Sequence, residues 1–211
     1  MTDDPDEAPG WAADLVLPPP WRDGGARTVF ETPWMRVTEH DATAPTGASA
    51  TYAVMRPTHL AVGVLPIHND GTVTLVGQHR FALMNFSWEM PEGGARPGED
   101  PLAAAQRELA EEAGLRAKVW REALSLELSN SITDERGLTW LAWDLTPTRS
   151  PGTDATEALV GARAPFMTLI DEIARGRVRD ALTVATALRA YHMARENLLP
   201  GWLGHAMLNR A

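Results

Sequence analysis

The sequence predicts an α+β protein, on three observations. Short runs of β-branched and alternating apolar residues recur through its first two thirds. One amphipathic helical stretch follows a Gly- and Pro-rich loop between them, and two more helical stretches come near the end. With 211 residues the chain suits one ordinary domain and a modest appendage.

Residues 1–24 carry Asp3, Asp4, Asp6, Glu7 and the run Pro18, Pro19, Pro20, a composition that predicts a flexible arm. Residues 25–57 hold two β-rich stretches, Thr28 to Glu39 and Ala50 to Arg56, about a turn-like ATAPTGAS segment, and predict a small antiparallel β unit. The main domain is expected over 58–197. Its first runs, His59 to Ile67 and Thr72 to Gln78, flank His68-Asn69-Asp70-Gly71 and read as a hairpin at the centre of a sheet. A short strand, Phe86 to Met90, leads into the loop PEGGARPGED. Asp100 then offers a cap, Pro101 a first-turn residue, Leu102, Ala105, Leu109 and Ala113 an apolar stripe, and Gly114 a stop. Strands follow at Ala117 to Leu128 and Leu138 to Asp144, joined by SNSITDERG. After a Pro/Gly/Thr-rich link near 146–156 come a strand at Ala158 to Arg163 and helices at Phe166 to Arg175 and Asp180 to Asn197. Residues 198–211 read as a tail.

The net charge of -9 argues against a nucleic-acid partner, whose binding rests largely on neutralised phosphates. A small phosphorylated substrate stays open, because a divalent cation reverses the local sign of an acidic pocket. With no Cys there are no disulfides, thiolate metal sites or Cys nucleophiles. The acidic N-terminus lacks the basic-then-apolar pattern of a signal peptide, and no apolar run reaches membrane-spanning length, so a cytoplasmic protein with no membrane partner is expected. The six His show no compact metal spacing, and the eight Trp read as packing residues.

The chemistry is carried from Gly93 onward by G-GARPG-E-DPLAAAQ-R-E-L-A-E-E-A-G-L. On a helix, Glu108, Glu111 and Glu112 are related by i, i+3 and i, i+4 spacing, so three carboxylates share a face opposite the apolar stripe. Like charges so placed destabilise a bare helix, and hard oxygen ligands suit Mg²⁺ or Mn²⁺. Three glutamates alone would more often be a solvated face. Gly93 and Gly94 add a place where backbone can approach closely, and Arg107 stands beside the acids as an orienting cation or a surface ion pair.

This stretch fills every fixed position of the Nudix signature G-x5-E-x7-R-E-U-x-E-E-x-G-U, a coincidence of roughly one in a million at average composition. The chain is thereby identified as resembling the Nudix hydrolases. With LVGQHRFALMNFSWEMPEGG before the box it resembles their ADP-ribose pyrophosphatases and NDP-sugar relatives. The resemblance implies a Nudix fold, a mixed β-sheet sandwiched between helices, and hydrolysis of a nucleoside diphosphate linked to X. ADP-ribose is the leading substrate; GDP-mannose, ADP-glucose or a non-catalytic nucleotide sensor are the alternatives.

It further implies Mg²⁺ or Mn²⁺ held by Glu108, Glu112, Glu111 and the carbonyl of Glu92, with Glu111 also eligible as a base. Glu99 is implied to be tied to Arg107, itself placed among the catalytic residues. Arg80, ending the Gln-x-Arg strand, is implied to bind substrate phosphate, with Glu89 beside the substrate. Glu135, with Asp134 as its rival, is implied to position or deprotonate the attacking water. Trp34 is implied to stack on a nucleobase across a homodimer, although a strand tryptophan is ordinarily core, as Trp88 would be too.

Overall fold

The computed structural model describes residues 9–149 and 158–209. Three strands, β1 (Arg22–Glu31), β2 (Met35–Thr43) and β3 (Ser49–Pro57), make an antiparallel N-terminal sheet. The long stretch expected from Thr28 breaks at Thr32-Pro33-Trp34, where Thr32 Oγ1 accepts the N–H groups of Trp34 and Met35, each at 3.2 Å. β1 begins inside the expected arm, with an irregular register between Asp23 and Ala26.

The main domain is a four-stranded mixed sheet in the order β7-β4-β9-β8, built from β4 (Leu60–Pro66), β7 (Glu92–Ala95), β8 (Leu115–Glu127) and β9 (Arg136–Pro147). β4 and β9 run parallel; β7 and β8 pair antiparallel at the edges. Side-chain alternation divides the sheet cleanly. Val62, Val64, Trp140 and Ala142 face α1 (Pro101–Ala113), whose Ala104, Ala105 and Leu109 they bury. Leu65, Leu141 and Trp143 face the opposite layer of α2 (Phe166–Ala174), α3 (Ala181–Arg195) and α4 (Gly201–Leu208). The mixed sheet is thus sandwiched between helices, as the fold class requires.

A third sheet, β10-β5-β6, brings together β5 (Thr72–Arg80), β6 (Asn85–Glu89) and β10 (Val160–Pro165). Here the expected hairpin is corrected. The turn at 68–71 forms, with Gly71 at φ +79°, but β4 and β5 share only the bridge Ile67–Val73 before parting. β4 is taken on both edges by β7 and β9, and β5 by β6 and β10, so neither keeps an edge for the other. Part of the expected loop PEGGARPGED is likewise strand β7. The link expected near 146–156 lies largely outside the described residues. No helix among the described residues is long and apolar enough to cross a membrane.

Residues 198–211, read as a tail, contain α4. Leu203 and Met207 are fully buried in the main cluster with Met193 and Phe166, and Gly71 packs so closely on the Ala206 carbonyl that an added Cβ would lie 2.1 Å from it. Leu203→Ala should therefore lower stability by about 2–5 kcal/mol in chemical denaturation. An unchanged midpoint would mean that α4 is a tail after all.

Candidate active site

The box helix starts where the sequence places it. Asp100 accepts the Ala103 N–H at 2.8 Å, Pro101 occupies the first turn, and Gly114 closes the helix at φ +61°. Its acidic face is turned against β7 instead of bulk water. Glu108 is buried, its carboxylate lying over Gly93, where an added Cβ would be 2.3 Å from Oε1. Glu112 accepts the backbone N–H of Glu92 at 3.0 Å. The two box glycines and the carboxylates thus form one close interface, the second of them, Gly94, offering its carbonyl to Arg107.

Arg107 is the hub of this face. Nε and Nη2 donate to Glu99 at 3.1 and 3.2 Å, Nη1 to Glu108 at 2.6 Å and Glu111 at 3.0 Å, and Nη2 to the Gly94 carbonyl at 3.0 Å. These bonds engage all five of its N–H donors. The hydrogen bonds it donates to Glu99, then those to Glu108 and Glu111, raise its pKa further above the ordinary arginine value. A guanidinium so engaged is in place to orient the carboxylates around it.

Beside this face opens a cleft of about 680 Å³, a size suited to a nucleotide-like ligand. Its lining draws on Arg80, Asn85 and Glu89 from β5 and β6, Glu92 and Gly93 from β7, Glu112 from α1, and Arg177, Arg179 and Asp180 from the α2–α3 connection. Carboxylate oxygens of Glu89, Glu92 and Asp180 lie within 4.8 Å of one another. Burial, then the charges of Asp180 and Glu89, push the Glu92 carboxyl well above the usual carboxylate range, against the pull of Arg80. Glu92 Oε2 is buried with no donor to receive it among the described residues. Such a set of hard oxygens fits a divalent cation.

The remaining expected residues fall in several places. Arg80 lines the cleft, but Nε reaches both oxygens of Glu89, at 3.0 and 3.1 Å, and Nη2 is shared between Glu89 and Glu92. Glu89 is only 2% exposed beneath it. Trp34 is neither core nor strand: it sits in the β1–β2 turn, 73% exposed, 6.3 Å from the His59 ring and away from the cleft lining. Trp88 does pack against the core. Of the eight Trp read as packing, Trp11, Trp21 and Trp202 are also exposed.

Glu135 closes the β8–β9 loop. Its N–H bonds Thr133 Oγ1 at 3.0 Å and its carbonyl accepts Leu128 N–H at 2.9 Å, and it does not line the cleft. Asp134 is paired to Arg56, and the loop is docked on β3 through Met55 N–H to the Ile132 carbonyl at 2.9 Å. Asp180, Arg177 and Arg179 went unrecognised in the sequence, where Asp180 read as a helix start. It is one: it accepts Thr183 N–H at 2.7 Å. The cluster Arg-x-Arg-Asp ahead of an apolar helix was the available signal.

An α+β sandwich with an acid-faced helix on a cleft is the class that fold and site define. The family whose model is described as NUDIX domain matches residues 57–143. It is 28% identical over 133 residues to an ADP-ribose pyrophosphatase of Mycobacterium tuberculosis, covering 62% of this chain and 64% of that one. It is 50% identical over 54 residues to an RNA pyrophosphohydrolase of Caulobacter vibrioides, covering 26% and 31%. The matches thus span less than two thirds of these relatives. A crystal structure of an ADP compounds hydrolase shares the fold at TM-score 0.78 and 24% identity, covering 87% of this chain and 98% of that one.

The Arg107 hub has a pH signature. Its hydrogen bonds hold the Glu99 carboxyl below the ordinary value of 4.5, so the contribution of the pair is present above that value and lost as pH falls through the lowered one. The stability gap between wild type and Glu99→Gln should be open at pH 7 and narrow in acid, as read by urea denaturation at each pH. A gap that widens in acid would contradict the pairing.

Proposed function

We propose that this protein is a divalent-metal-dependent hydrolase of nucleoside diphosphate-X compounds, with ADP-ribose split to AMP and ribose 5-phosphate. The observation that carries this reading is the meeting of Glu112 of the box helix with Glu89, Glu92 and Asp180 on the wall of one cleft. The likeness to an ADP-ribose pyrophosphatase supports the substrate. NDP-sugars share the same diphosphate and remain the alternative.

Glu108, Glu111, Glu112 and the Glu92 carbonyl are the proposed ligands of Mg²⁺ or Mn²⁺. A bound ion of this kind neutralises diphosphate charge and lowers the pKa of a coordinated water. Arg107 holds Glu108 and Glu111 ready, and Gly93 leaves room for the Glu108 carboxylate. Glu135 is the proposed residue that positions or deprotonates water. Its carboxylate makes no hydrogen bond among the described residues, whereas Asp134 is held by Arg56. Loop movement toward the cleft belongs to this proposal. A polyanionic nucleic-acid substrate is disfavoured by the net charge of -9.

We also propose a homodimer formed through the N-terminal sheet. All ten residues of β1 are exposed, including Val29 and Phe30, with Trp34 beside them. Trp34 would then be a base-stacking residue delivered to the partner's site.

Glu112→Gln keeps an acceptor for the Glu92 N–H while removing the charge. It should cut phosphate-ester product formation from ADP-ribose by about a thousandfold or more, with an unchanged melting curve. Omitting Mg²⁺ from wild type should do the same; turnover at the normal rate in either case would refute the metal assignment. In sedimentation velocity, Phe30→Glu should convert a dimer into a monomer, and a monomeric wild type would remove the dimer from the account.

A further inference from the structure

Three arginines line the cleft, and two of them are already answered by carboxylates. Arg80 directs Nε and Nη2 at Glu89, and Nη2 also reaches Glu92 at 3.4 Å, which leaves Nη1 alone uncommitted. Arg177 donates through Nε and Nη2 to Glu172 of α2, a residue outside the cleft lining. Arg179 makes no hydrogen bond or ion pair among the described residues, and it is exposed along the same cleft.

Its backbone is fixed from both sides. Val178 before it is buried, and Asp180 after it caps α3 through the Thr183 N–H. The Asp180 carboxylate in turn belongs to the acid cluster with Glu89 and Glu92. The side chain of Arg179 therefore leaves a defined point at the rim of that cluster with its whole guanidinium available.

We infer that Arg179 is the guanidinium that contacts the substrate's diphosphate, and that Arg80 is a positioning residue for Glu89 and Glu92. This rests on the reading of the protein as a diphosphate hydrolase. A planar fork of donors matches the non-bridging oxygens of a phosphate. Arg80 offers less: its charge is shared with two carboxylates, so an incoming anion meets a compensated cation there and an uncompensated one at Arg179. Arg177 is drawn off by Glu172 in the same way.

The test is calorimetric titration of the full chain with α,β-methylene-ADP, a non-hydrolysable diphosphate, in Mg²⁺, alongside steady-state kinetics on ADP-ribose. Arg179→Ala should weaken probe binding by roughly ten- to a hundredfold, the range for loss of a charge-assisted contact. Arg179→Lys should recover part of it. KM should rise by a similar factor while kcat stays within about threefold, because the contact is made in the ground state as well as the transition state. Arg80→Lys should instead lower kcat and alter the Mg²⁺ dependence. If wild type binds and turns over but Arg179→Ala matches it, the inference is overturned and the hydrolase reading survives. A wild type that neither binds the probe nor hydrolyses ADP-ribose overturns both.

Discussion

Everything at this site depends on one side chain, Arg107, giving all five of its donors to the protein. Three glutamates within two helical turns repel one another, and the first of them is buried. Left unanswered, a carboxylate in that position would pick up a proton or push the helix away from β7. Arg107 answers Glu108 and Glu111 through one nitrogen, ties the helix to the preceding loop through Glu99, and ties it to β7 through the Gly94 carbonyl. The helix, the loop and the edge strand are locked into one body by a single guanidinium, which is a task a lysine's point charge could not perform.

The sheet sets where that body stands. β7 pairs with β4 so that Val62 opposes Gly93 and Gly63 opposes Glu92. Alternation along β4 gives Val62 and Val64 to α1 and leaves Leu65 to the layer of α2, α3 and α4. Because that layer also packs on the sheet, the start of α3 comes up beside β7, and Asp180 joins Glu92 although most of the domain separates them in sequence. Met90 fixes the junction: it is fully buried and its N–H bonds Thr183 Oγ1 in the first turn of α3 at 2.9 Å. An α3 cap and an acid cluster are thus two uses of one close approach.

What was legible in the sequence follows from how local the signals are. The box helix, with its cap at Asp100 and its stop at Gly114, is written in adjacent residues, as are the turn at Asp70-Gly71 and the strands around it. The fold class followed from those elements and from the signature. Strand pairing was not legible, since whether β4 joins β5 depends on which distant strands claim its edges. Burial of α4 was hidden because its segment follows a helix-ending stretch and carries an exposed Trp202 beside the buried Leu203. The position of Trp34 was misread for a related reason: Pro33 breaks the strand there, and the side chain turns outward. Asp180, Arg177 and Arg179 acquire meaning only once α3 is docked.

A protein of net charge -9 that is to hold a diphosphate must invert its field locally. Two devices are visible, and they pull in opposite senses. Glu89, Glu92 and Asp180 are brought within 4.8 Å of each other in a part-buried setting, where each fully ionised pair repels by about 3 kcal/mol at an effective dielectric near 20. Arg80 offsets the repulsion for two of them, and among the described residues no cation is ion-paired to Asp180. Burial, then the charges of Asp180 and Glu89, push the Glu92 carboxyl upward, so the strain of the crowding falls on that member of the trio. Hard carboxylate oxygens gathered in this way suit a divalent cation, whose charge would relieve the same repulsion. On the proposed reading, a cation at this wall would turn a surface that repels phosphate into one that attracts it, and Arg179 would meet the same anionic ligand from the rim.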